Sequence, residues 1–277
     1  MRRLAVSNLA WRAGPAMQAR ALASLARQGA AGVEVAPTRI ADWDAITPQH
    51  LVAFRAACRA EGLAVSSLQA IFHLCPEAAL LGSAAAFAAM QEQVRRIAGI
   101  AASLGAGVAV FGAPQRRLRG AMAPPLAMQL AADRLRLLAE LAYSGGVVLG
   151  IEPVPASYGA DFLNHAHEVI DLVRRVDHPA VRVHLDTACI TLAGDDPARA
   201  IMAAGSLLAH YHMAEPRLGG FLEPALDHAG AARALDAVGY AGWVVLEMLA
   251  PASEAGDDEA ELGAIAAALA CARSAGA

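Results

Sequence analysis

Four residues in this chain combine the types and spacing that metal chemistry needs: Glu152, Asp186, His212 and Glu247. Each closes a short apolar run, in VVLGIEPV, VRVHLDT, LAHYHMAEP and GWVVLEM, and they stand 34, 26 and 35 residues apart. In VRVHLDTACI, Val181, Val183 and Leu185 alternate with Arg182, His184 and Asp186, which is strand periodicity ending on an acid. In VVLGIEPV, Val147, Leu149 and Ile151 share one face and Glu152 takes the other. Val244 and Leu246 stand opposite Glu247 in the same way. A carboxylate turned alone into an apolar barrel is costly, and three side by side repel. A divalent cation removes both penalties. Three carboxylates and an imidazole suit Mn²⁺, Mg²⁺ or Co²⁺, with Zn²⁺ also admissible. A single acid at a strand end is more often a helix cap, and a single buried His an ordinary hydrogen-bonder. Four on consecutive strands point to a metal.

The elements that must position them are short β-like runs alternating with helical stretches. The expected strands are Arg3–Ser7, Gly32–Ala36, Ala64–Gln69, Gly107–Phe111, Val147–Glu152, Val181–Asp186, Leu208–His212 and Gly242–Glu247. Between them lie Ala-, Leu-, Arg- and Glu-rich segments with helical spacing, such as Met128–Ala142 and His165–Arg175. Eight strands alternating with eight helices is the count of a (β/α)8 TIM barrel, read here as one domain over residues 1–277. An open doubly wound sheet is the alternative, but the phosphate-binding glycine turn of that fold is missing. Glycines collect at the strand starts (GVEV, GVAV, GWVV) and polar residues at the ends, where barrel enzymes keep their chemistry.

Composition narrows the function. All 22 basic residues are Arg, so chemistry that needs a lysine is excluded: Schiff-base aldolases, lysine-anchored pyridoxal enzymes and P-loop nucleotidases. No GxSxG elbow and no GxGxxG fingerprint occur. A net charge of -4 argues against nucleic acid as partner. The chain has no apolar run long enough for a membrane span, and its opening MRRLAVSNLAWR reads as a first strand rather than a signal peptide. Four scattered cysteines without a CxxC pair fit a reducing cytoplasm.

GVEVAPTRI, GIEPVP, HLDT, HMAEP and GYAGWVVLEM, in this order and spacing, resemble the sugar phosphate isomerase/epimerase family of xylose isomerase-like TIM barrels. Within it the chain is most similar to ketose 3-epimerases. The resemblance implies a Mn²⁺-type site on Glu152, Asp186, His212 and Glu247, with Glu152 and Glu247 doubling as the acid/base pair. It implies a small sugar substrate, proton transfer through an enediolate, and a homodimer or homotetramer. Cys189 stands where those epimerases carry a substrate-contacting His, and Arg217 corresponds to a substrate Arg at a spacing one residue tighter. Both changes argue against carrying a free hexose straight across. A lyase that dehydrates a keto-polyol, and a sugar-binding barrel without turnover, use the same parts and stay open. The DNA-repair endonucleases of this fold need more His ligands than these strand ends supply.

Further residues are candidates for the rim. Glu34, Asn8 and Gln69 end strands 2, 1 and 3 and can bind hydroxyls or cap loops. Glu215, close behind His212, is expected to touch substrate or a ligand. His184 and His210 fall one layer below the ligands as buried hydrogen-bonders. His228 is expected to cap or open a helix. Arg116, Arg117 and Arg119 follow strand 4 and either hold a substrate anion or form a solvated loop.

Overall fold

The computed structural model describes residues 2–252 and 257–277. Eight parallel strands close in sequence order: β1 (Arg3–Ser7), β2 (Gly32–Val35), β3 (Ala64–Leu68), β4 (Val108–Phe111), β5 (Val148–Ile151), β6 (Val181–Asp186), β7 (Leu208–Ala214) and β8 (Trp243–Glu247), with β8 pairing back onto β1. This is the expected (β/α)8 TIM barrel. The expected strands recur within a residue or two at each end, and β1 and β6 keep their expected bounds.

The helices are α1 (Pro15–Arg27), α2 (Pro48–Ala60), α3 (Ala84–Leu104), α4 (Pro124–Ser144), α5 (Ala166–Val176), α6 (Thr187–Leu192), α7 (Pro197–Ala204), α8 (His228–Ala237) and α9 (Asp258–Ser274). Pro opens α1, α2, α4 and α7, where its missing N–H costs nothing and its φ is preset. The buried face of α4 carries Ala127, Ala131, Leu135, Leu138 and Ala142, an apolar stripe at helical spacing turned to the core. Among the described residues, no helix is long and apolar enough to cross a membrane. The short α6 is additional to the barrel helices and begins directly at the end of β6.

Strand alternation divides the core. Leu149, Ile151, Val183 and Leu185 pack outward under the helices. The barrel interior instead carries Glu34, His184 and His210, each without exposed surface. Room for the imidazoles comes from a missing side chain: a Cβ on Gly150 would stand 3.1 Å from the Cβ of His184. The interior is therefore a polar layer, and the residues at the strand ends rest on it.

Candidate active site

Asp186 and His212 face each other across the β6–β7 ladder as direct register partners, and Glu247 pairs with Ala214, two residues further along β7. Glu152 follows β5 directly, its N–H bonded to Phe111 O at 3.3 Å. One ligand atom each from Glu152, Asp186 and His212 lies within 4.8 Å of the others. His212 Nδ1 stands 3.1 Å from Glu247 Oε2 and 3.9 Å from Asp186 Oδ2. The four residues expected to share one mouth do converge.

Asp186 divides its carboxylate. Oδ1 accepts from the N–H of Cys189 at 2.6 Å and caps α6. Oδ2 is buried without any hydrogen-bond partner. An orphaned buried carboxylate oxygen is costly, and here it points among other carboxylates. The donor set fits a hard divalent cation, which the four residues would hold between them.

Burial, together with Glu152 and Glu247, pushes the Asp186 carboxyl up to about 8. Burial alone would raise Glu152 as well, but His184, His212 and Arg117 outweigh it and hold that carboxyl below its usual range. His212 loses some basicity to burial, yet Glu34 and Glu247 around it hold its imidazolium well above the ordinary histidine value. His184 is pushed down to about 4 by burial and by His212, so it is neutral.

Beneath His212 lies a hydrogen-bonded floor. Glu34 accepts from Ser67 Oγ at 2.7 Å, pairs with His210 Nε2 at 3.0 Å and holds His212 Nε2 at 2.8 Å. Burial pushes the Glu34 carboxyl up, but His212 and His210 overcome it and keep it well below the carboxylate range. His184 Nε2 stands 3.7 Å from Glu152 Oε1. His210 is thus the buried hydrogen-bonder expected of it, whereas both ring nitrogens of His184 are buried without a hydrogen-bond partner.

A cavity of about 620 Å³ opens above, lined by Glu152, His212 and Glu247 together with Gln69, Cys189 and Tyr158. The expected substrate contacts divide here. Gln69 and Cys189 line the cavity. Glu34 does not: it is wholly buried beneath His212. Asn8 is spent on backbone, its Oδ1 accepting from Ala36 N at 2.9 Å. Glu215 turns back to accept from Ala225 N at 3.1 Å and to meet His228 Nε2 at 2.7 Å, tying the β7 loop to the start of α8. Arg217 is exposed and stands outside the cavity wall, while its N–H donates to Tyr158 Oη at 2.8 Å. Burial and the carboxylates Asp186, Glu152 and Glu247 raise the Cys189 thiol well above its usual range, so it is a neutral wall residue.

Two supporting residues were not legible from sequence. Arg117, expected either to hold a substrate anion or to lie in a solvated loop, is 1% exposed and donates to Glu152 O at 2.5 Å and Phe111 O at 3.3 Å. Burial lowers its guanidinium to about 10, still charged at neutral pH. Gly112 leaves space that Glu152 fills: a Cβ there would overlap Glu152 Oε2.

Comparison with known proteins agrees with this architecture. The family model of the xylose isomerase-like TIM barrel matches residues 22–273. A D-psicose 3-epimerase of Ruminiclostridium cellulolyticum is 33% identical over 115 residues, 42% of this chain and 39% of that protein. The matched region thus spans about two-fifths of the length of the curated relatives. Among solved structures, a D-psicose 3-epimerase with D-tagatose from Clostridium cellulolyticum H10 superposes with a TM-score of 0.83 at 18% identity, over 98% of both chains. A 3-keto-D-glucoside 4-epimerase from E. coli superposes with a TM-score of 0.78 at 18% identity, over 98% of this chain and 100% of the other. At such identities the likeness is one of fold.

Proposed function

The chain belongs to the xylose isomerase-like TIM barrel family, and from that premise we propose a divalent-metal-dependent enzyme, an epimerase or isomerase that moves a proton beside the carbonyl of a keto-sugar. The observation that carries this reading is Asp186 Oδ2, buried without a partner among Glu152, His212 and Glu247. The relatives named for ketose 3-epimerisation lend it their chemistry.

Glu152, Asp186, His212 and Glu247 would hold the cation; three carboxylates and one imidazole suit Mn²⁺, Mg²⁺ or Co²⁺, and the likeness to ketose 3-epimerases puts Mn²⁺ first. A bound divalent cation supplies stabilisation for the oxyanion that develops as a proton leaves the carbon beside a carbonyl.

The chain's own residues supply the proton transfers. Asp186 and His212 are sealed at 2% and 1% exposure, while the Glu152 and Glu247 side chains keep 11% and 13%. The two glutamates are therefore the acids a substrate can touch. They end β5 and β8 and flank Asp186 and His212 on β6 and β7. One carboxylate takes the proton and the other returns one from the opposite side. Arg117 holds the Glu152 main chain, and the neutral His184 ring stands beside its Oε1. All four cysteines are free, in keeping with a reducing cytoplasm.

The test is solvent exchange. Mn²⁺-loaded protein incubated in deuterium oxide with a panel of ketoses that includes D-fructose and D-allulose is expected to place deuterium beside the carbonyl of at least one of them. Binding without deuterium uptake would assign the barrel to sugar binding alone. Loss of water from the sugar would assign it to dehydration.

A further inference from the structure

His165, His167 and Asp195 converge outside the barrel mouth, and none of them lines the cavity. His165 precedes α5, His167 lies in its first turn, and Asp195 comes from the connection between α6 and α7. One nitrogen of each imidazole and one carboxylate oxygen all lie within 4.8 Å of one another. Nitrogen and oxygen ligands stand about 2.0–2.2 Å from a Zn²⁺ ion, so rotation of the side chains alone can close these three atoms onto one cation.

The pairing of the two histidines is the unusual part. Residues two apart on a helix point to different sides. Here the rings share a side because His165 is not yet helical: its backbone is extended, at φ -114° and ψ 150°. The rings stack with centroids 5.5 Å apart and planes 25° from parallel. Asp195 meets them from the other segment, its Oδ2 3.1 Å from His165 Nδ1 and 3.4 Å from the N–H of Ala166. A helix cap needs the acid alone. His167 takes no part in that cap or in the ion pair, yet its exposed ring is laid against His165 beside the carboxylate.

The donor set selects the ion. Imidazole suits Zn²⁺, Cu²⁺ and Ni²⁺, whereas Mn²⁺ stands at the weak end of the affinity order for such sites. The positive end of α5 opposes a cation here, and Asp195 with Glu168 in the first turn offsets it. Glu168 itself is committed, its Oε2 accepting from the N–H groups of Asn164 at 2.7 Å and His165 at 3.0 Å.

We propose that His165, His167 and Asp195 form a site for a borderline divalent transition cation of the Zn²⁺ class, with water completing its coordination. It is separate from the barrel mouth and does not rest on the keto-sugar reading. The cation would clamp together two segments that lead back to Glu152 and Asp186. Asn164, next to His165, donates to Val154 O at 2.8 Å, two residues past Glu152. Asp195 N donates to Ile190 O at 3.1 Å, in the helix that Asp186 caps. The site thus braces both strand-end loops from outside.

The test is equilibrium dialysis of the untagged, full-length protein against Zn²⁺. Four proteins are compared: the wild type, His167→Ala, the Glu152→Gln, Asp186→Asn variant, and that variant with His167→Ala added. His167 is exposed, and its truncation leaves the core untouched. Removing it is expected to lower the zinc content by about one equivalent in either background. In the Glu152→Gln, Asp186→Asn background, Zn²⁺ is expected to raise the melting temperature, and His167→Ala to abolish the rise. Equal zinc with and without His167, or zinc bound with no rise in melting temperature, would overturn the proposal. Either result leaves the epimerase reading standing, because deuterium exchange by the Mn²⁺-loaded protein does not pass through His167.

Discussion

Glu34 and His212 are joined across the barrel interior: Oε1 of the one lies 2.8 Å from Nε2 of the other, although 178 residues separate them. The contact decides which nitrogen does what. Nε2 gives its hydrogen to Glu34, and Nδ1 turns toward Asp186 and Glu247 with its lone pair available once the imidazolium proton leaves. A ligating histidine is oriented and made more basic by such a carboxylate. The sequence marks Glu34 as a polar strand end; the fold sets it beneath His212 as that ring's partner.

Replacing that partner weakens metal binding without touching a ligand. Glu34→Gln is expected to lower Mn²⁺ affinity by about 10- to 100-fold, read by calorimetric titration. An unchanged dissociation constant would mean that His212 needs no partner.

Gly112→Ala tests the packing around Glu152. The new methyl would occupy the position of Oε2, so the carboxylate must rotate away or the β4 loop must move. Deuterium exchange into the ketose that responds is expected to fall by about tenfold or more, in line with the cost of misplacing a catalytic group. Wild-type exchange in this variant would show that the Glu152 rotamer is not demanding.

The pH dependence of metal uptake follows from two groups. Asp186 is raised from 3.8 to about 8, so the folded protein keeps a proton that the unfolded chain gives up. Stability from this group therefore falls as pH rises between those values. His212, raised well above 6.5, contributes stability that is present below that value and lost as pH climbs through its folded pKa. A cation takes the place of both protons. Binding of Mn²⁺ at about pH 7 is expected to release at least one proton, with apparent affinity rising toward pH 8. Calorimetry in buffers of different ionisation enthalpy measures the count. Zero release would contradict the protonation scheme.

Arg117→Met removes a buried guanidinium and strands two main-chain carbonyls, those of Glu152 and Phe111. The expected loss is about 2–4 kcal/mol of stability, measured by urea unfolding of the metal-free protein. A loss below about 0.5 kcal/mol would place this loop among ordinary surface positions.

The convergence of Glu152, Asp186, His212 and Glu247 was legible because strand alternation is a strict period of two. Once Val181, Val183 and Leu185 are assigned to the helix layer, Asp186 has only the interior left. Spacing then carried the argument from one strand to the next. What was not legible depends on contacts between distant strands. Glu34 and His210 stand 176 residues apart, and nothing local in either segment announces the pair. Arg117 sits in a stretch, QRRLRG, whose charge reads as solvated, and only the fold sinks the middle arginine beneath Glu152. Asn8 follows β1 and Glu215 follows β7, but main-chain N–H groups claim them first. Such donors must be satisfied before a polar side chain is free to meet a ligand.

The measurement that tests the central claim most directly is metal content. The protein is purified without chelator, reloaded with Mn²⁺ and compared with a Glu152→Gln, Asp186→Asn variant that still unfolds cooperatively. About one equivalent in the wild type and none in the variant is the expected result. A wild type that takes up no metal, or a variant that retains it in full, would contradict a cation held by Glu152, Asp186, His212 and Glu247.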